Sequence, residues 1–135
     1  VAERYWGRRS RWAYAFRSLS KSGAMLAFGS DAPVETPDPI RGIYAAVARK
    51  QLDGTPDSGW YPEERMTVEE TIRAYTAGAA MASADELTRG TLARGSFADM
   101  TILSRDIFST PAAEILDVRV AATVIAGQFV FREGV

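Results

Sequence analysis

The sequence predicts an α/β chain whose helix–strand alternation gives way to a β-rich end, and three observations predict it. The run Met25-Leu26-Ala27-Phe28-Gly29 is short, apolar and free of polar side chains. Such a run reads as a strand covered on both faces, as in a parallel sheet. Helical patterns flank it on both sides. Beyond residue 88 the texture turns to short strands punctuated by Gly90, Gly95, Ser96 and Gly127. The 135 residues, 47% hydrophobic and 24% charged, are enough to bury a core and exclude wholesale disorder.

The elements follow in order. Residues 10–21 read as a surface helix with Trp12, Phe16 and Leu19 on its apolar stripe, stopped at Ser22-Gly23. The strand 25–29 comes next. The loop at 30–38 holds two prolines and three carboxylates and cannot continue it. Asp38-Pro39 opens a second helix, Asp38 as N-cap and Pro39 at its first position, with Ile40, Ile43, Tyr44 and Val47 buried. A long loop spans 50–66. Thr67-Val68-Glu69-Glu70 is a capping box for a helix that buries Val68, Ile72 and Tyr75. The small residues Ala77 to Ala82 allow backbones to pack closely. Strands are expected at 99–103, 118–126 and 129–131, the last two as a hairpin around Gly127-Gln128, with a short helix from Thr110-Pro111 to about Leu116. The expected division is an α/β part, 1–88, and a β-rich part, 89–135.

Composition excludes several chemistries. The chain has no cysteine and no histidine, so it contains no thiolate nucleophile, no imidazole base and no His-ligated zinc. Absence of cysteine fits a reducing compartment, and the expectation is a cytoplasmic protein. No apolar run reaches the roughly 18 residues of a membrane span, and arginines and aromatics interrupt any secretory-signal pattern near the start. The net charge of −1 gives no global reason to expect nucleic acid. It does hide an asymmetry. Residues 1–21 hold six basic side chains against Glu3, a net of +5, which leaves −6 for the remainder. Interleaved aromatics favour a surface helix there over a nucleic-acid-binding arm.

Asp31 is the leading chemical candidate. It sits just past the end of the apolar strand, the edge where parallel α/β folds build active sites. The competing reading is a turn cap. Glu35 widens the acidic loop and reads as a solvated carboxylate; Asp38 is already explained as a cap. Trp60 and Tyr61 wall an apolar substrate pocket or pin the long loop to the surface, and both readings stand.

At Asp31 the surrounding string carries a resemblance. Residues 23–34, Gly-Ala-Met-Leu-Ala-Phe-Gly-Ser-Asp-Ala-Pro-Val, resemble the last barrel strand of the amidohydrolase superfamily, closest to the amidohydrolase-3-type branch that includes N-substituted formamide deformylase-like enzymes. Three further segments match in order: 38–47, then 59–67 with 74–80, and 90–100, the last resembling the turn into the accessory β-sandwich. The resemblance implies the C-terminal portion of a (β/α)₈ barrel of roughly 250 residues: the last strand, its trailing helices and the final strands of the β-sandwich. It implies a divalent metal, zinc by expectation, held mainly by histidines this chain does not contain. Asp31 then takes the role of metal-site carboxylate and proton shuttle. The implied partners are a small amide-type substrate and the missing N-terminal part of the same protein. The isolated chain is expected to be catalytically silent and to self-associate. A free-standing, noncatalytic binding or assembly module is the rival reading.

Overall fold

The computed structural model describes residues 2–134. It is a mixed helix-and-strand structure in which a three-stranded antiparallel sheet adjoins a layer of short helices. No helix among the described residues is long and apolar enough to cross a membrane.

The N-terminal stretch departs from the single helix expected over 10–21. Helix α1 (Ala2–Trp6) runs into a 3₁₀ turn (Gly7–Trp12), the backbone breaks at 13–15, and α2 (Phe16–Lys21) starts afresh. Tertiary hydrogen bonds impose the break. In a continuous helix the Tyr14 carbonyl would accept from the Ser18 N–H. Instead Arg49 Nη1 donates to Tyr14 O at 2.9 Å, and the Ser18 N–H donates to the Glu64 carboxylate at 2.9 Å. Tyr14 takes a left-handed φ of 54°, and Trp12 and Leu19 stay exposed. Gly23, also left-handed, ends α2 as expected, with Ala24 N–H donating back to Leu19 O.

Helix α3 (Pro39–Ala48) forms as its sequence dictates. Asp38 Oδ1 accepts from Ile40 N at 3.0 Å, and Ile40, Ile43, Tyr44, Ala46 and Ala48 face inward. The capping box is also complete: Thr67 Oγ1 accepts from Glu70 N, and the Glu70 carboxylate accepts from Thr67 N. That carboxylate also receives Arg17 at 3.1 Å, which ties α2 to α4 (Val68–Arg73). The helix widens into a π segment (Ala74–Gly78) and closes as α5 (Ala79–Ala82).

Residues 25–29 form no ladder and are not covered on both faces. Their burial alternates: Leu26 and Phe28 are half-buried on the π segment, while Met25, Ala27 and Gly29 are exposed. Phe28 N–H donates to Ala74 O at 3.0 Å. The period-2 burial of a strand is present, but a strand needs a neighbour to become a ladder, and no described residues pair with it.

Strand β1 (Met100–Leu103) pairs antiparallel with β2 (Val120–Ile125), which pairs with β3 (Gln128–Arg132). The β2–β3 turn falls one residue before the expected site, on Ala126-Gly127, with φ of 51° and 79°. Two successive positive φ values match the strand twist of a type I′ hairpin. Asp99 Oδ1 accepts from Ala126 N at 2.7 Å and holds the non-glycine position in place. A 3₁₀ segment (Ala112–Asp117) links β1 to β2 and packs on α3. The core cluster of Ile40, Ile43, Tyr44, Ala48, Ile107, Ile115 and Val118 thus draws on both the helical and the β-rich stretches. All of β3 is exposed.

Candidate functional site

An open cleft of about 1050 Å³ lies between α3, the loop 28–38, the N-terminal break and the loop 49–60. One end is acidic, with Asp31, Glu35 and Asp38; the wall is aromatic, with Tyr14, Phe16, Phe28, Trp60 and Tyr75. The rings touch in succession. Trp60 meets Tyr14 at 6.3 Å, Tyr14 meets Phe16 at 6.0 Å, Phe16 meets Phe28 at 4.9 Å and Phe28 meets Tyr75 at 5.5 Å. Edge-to-face and tilted contacts at these distances orient rings as well as bury them. Burial pushes the Tyr75 hydroxyl pKa up.

Asp31 is exposed at the head of this cleft and has a left-handed φ of 59°. Its carbonyl closes the turn, accepting from Val34 N at 2.9 Å and Glu35 N at 3.3 Å. The turn is therefore held by the backbone of Asp31, and its carboxylate makes no hydrogen bond or ion pair with the described residues. An L-residue in this region carries a modest strain that aspartate tolerates better than most. The carboxylate is left exposed on the cleft lining. Glu35 is exposed one turn further out, and Asp38 is committed to capping α3 and faces Arg41 at 3.9 Å.

Trp60 and Tyr61 separate. Trp60 lies on the cleft wall, its indole N–H donating to Glu3 at 3.1 Å. Tyr61 is not among the lining residues; its hydroxyl meets Ser10 Oγ, fully buried, at 2.7 Å and pins the loop to the N-terminal segment.

Two further charged residues, Arg49 and Glu64, hold the cleft wall and the N-terminal break without a motif in the sequence to mark them. Arg49 is buried, at a φ of 57° just past α3. Burial lowers its pKa, and Glu64 and Glu63 oppose that shift. Burial pushes the Glu64 carboxyl up, but hydrogen bonds from the Ser18 hydroxyl and N–H, with the charge of Arg49, outweigh it and hold the pKa below its ordinary value. The only sequence signal was a basic pair, Arg49-Lys50, at a helix C-terminus, where cations commonly sit for dipole reasons alone.

Among the described residues no three His, Cys, Asp or Glu side chains come together to hold a metal. Asp31 offers one hard oxygen donor on an open loop. That suits one position of a shared metal site and cannot make a whole one.

The Amidohydrolase family model matches residues 1–131. The chain belongs to this family. It is 37% identical over 133 residues to YtcJ of Bacillus subtilis (strain 168), which bears an amidohydrolase name, covering 98% of this chain and 25% of that protein. It is 34% identical over 116 residues to Protein LONG AFTER FAR-RED 3 of Arabidopsis thaliana, covering 86% of this chain and 19% of that protein. It is 30% identical over 114 residues to N-substituted formamide deformylase of Arthrobacter pascens, covering 84% and 20%. The chain thus spans a quarter or less of the curated relatives it matches. No solved structure shows significant similarity to it.

Proposed function

We propose that this chain is the C-terminal segment of a metal-dependent amidohydrolase that cleaves a non-peptide C–N bond in an amide, imide or formamide. The observation that carries the reading is Asp31: a family match runs through it, and its carboxylate stands uncommitted at the head of an aromatic cleft. In this reading residues 25–29 are the last strand of a (β/α)₈ barrel, and the sheet β1–β2–β3 is part of an accessory β-sandwich. A divalent metal, zinc by preference, bound mainly by histidines outside this chain, would supply a bound water whose pKa is lowered to about 7.

The residues of this chain then have separable tasks. Asp31 accepts the proton of the attacking water at its carboxylate and returns it to the departing nitrogen, as acid–base catalysis of C–N cleavage requires. Trp60 and the tilted rings beside it present an apolar aromatic wall to the substituent of the substrate. The formamide deformylase among the relatives supports a formamide as the first substrate to try.

The test is made in the full-length protein. Asp31→Asn keeps size and loses the basic carboxylate, so kcat is expected to fall by about 10²–10⁴-fold. Glu35→Gln is expected to leave kcat within a few-fold. Near-normal turnover in Asp31→Asn together with inactivity in Glu35→Gln would assign the wrong carboxylate and defeat this reading.

A further inference from the structure

Arg49 contacts two parts of the cleft wall at once. Its Nε donates to Trp60 O at 2.9 Å, and the Trp60 N–H returns a bond to Arg49 O at 2.7 Å. Its Nη1 donates to Tyr14 O at 2.9 Å. Its guanidinium carbon lies 5.1 Å from the centroid of the Trp60 ring, within cation–π range. The remaining nitrogen, Nη2, is buried and has no hydrogen-bond acceptor. A buried charged donor left without an acceptor is costly, and the adjacent indole face and the Glu64 charge are what the structure sets against that cost. Arg49 accepts a left-handed backbone to reach this position. An arrangement that bears both a strained φ and an orphaned donor is more than a helix end needs, since a glycine would end α3 without either.

We propose that Arg49 is the positioning residue that fixes the indole of Trp60 on the cleft wall. It touches neither the reacting atoms nor Asp31; it acts through Trp60. Two features set its geometry. The planar fork places Nε and Nη1 on two different backbone carbonyls, which a lysine ammonium cannot do while also stacking on the ring. The reciprocal backbone bond keeps Trp60 from sliding along the loop. The consequence for substrate choice rests on the cleft reading above: with Trp60 fixed, an amide carrying a flat apolar substituent gains a preformed surface, and one carrying a methyl group gains little.

The experiment uses the full-length protein with 5-fluorotryptophan, the Trp60 resonance being assigned by its loss in Trp60→Phe. Arg49→Lys keeps the charge without the fork. Arg49→Asn tolerates the left-handed backbone and serves as a second route to a folded variant. Both are expected to shift or broaden the Trp60 resonance while those of Trp6 and Trp12 stay in place. KM for an aryl-substituted formamide is expected to rise about threefold to tenfold, the range of a lost cation–π contact and its ordering. KM for N-methylformamide and kcat for both should change little. In a Trp60→Ala background Arg49→Lys should add nothing to the aryl KM. An unmoved Trp60 resonance in a folded variant overturns the proposal, as does a KM effect that persists without Trp60, or the failure of both variants to fold. A moved resonance with both KM values unchanged supports the positioning role and instead overturns Trp60 as a substrate wall.

Discussion

Glu64 shows how one side chain can decide a local fold. It substitutes for an N-cap on a helix from which it is far removed in sequence, accepting from the Ser18 N–H and hydroxyl. Its pKa is held below the ordinary 4.5 in the folded state. A depressed carboxyl contributes stability that is complete above its unfolded pKa and is lost as pH falls through the folded value. Urea midpoints of the wild-type protein should therefore drop once the pH passes below 4.5. Glu64→Gln should be less stable at pH 7 by about 1–3 kcal/mol, the worth of hydrogen bonds to a charged group, and should show a shallower acid limb. Parallel acid limbs for the two proteins would remove Glu64 as the cause. Arg49 and Glu64 left no cue in residue spacing because their partners are distant in sequence, and most are backbone atoms of Tyr14, Trp60 and Ser18. Asp31 stood out because its neighbours were local and its position followed an apolar run.

At the scale of elements, features with local causes were legible and those with distant causes were not. The Asp38 cap, the Thr67–Glu70 box and the strands of the β-rich end all appear where their sequence cues lie. The helix expected over 10–21 broke because Arg49 and Glu64 claim a carbonyl and an amide that its hydrogen-bond ladder needed. The small-residue stretch has a clear cause once folded. A Cβ added at Gly78 would overlap the Leu26 carbonyl oxygen, and one added at Gly42 would overlap the Tyr75 hydroxyl. These two close approaches predict different behaviour. At Gly42 the obstacle is a removable hydroxyl, so Gly42→Ala should cost about 1–3 kcal/mol and Tyr75→Phe should recover part of it. At Gly78 the obstacle is backbone, fixed by the Phe28–Ala74 hydrogen bond, so Gly78→Ala should be at least as costly, with no recovery from Tyr75→Phe. Denaturant midpoints of the three single variants and of Tyr75→Phe combined with each glycine substitution decide it; equal rescue at both sites would mean that the segment 25–29 moves freely against the helix.

At the scale of the whole molecule, what matters is which surfaces stay open. The segment 25–29 leaves Met25, Ala27 and Gly29 exposed, and β3 exposes Phe129, Val130 and Phe131 at 54%, 59% and 50%. The free outer edge of β3 and the apolar segment 25–29, which forms no ladder, are templates for pairing. Against them stands a single core that joins helix α3 to the β-rich stretch, enough to hold the two parts together. The expected result is a folded but adhesive chain. Expressed alone, the 135 residues should sediment as a concentration-dependent mixture of oligomers, and a charged substitution in the middle of β3, Val130→Lys, should shift that mixture towards monomer. Because Val130 is more than half exposed, the substitution should cost little folding stability, so a shift can be read as lost association and not as unfolding. A monomer at all concentrations with a cooperative melt would show that the sheet edge and the segment 25–29 need no covering. It would favour a self-sufficient binding or assembly module over a segment built to pair with the rest of an enzyme.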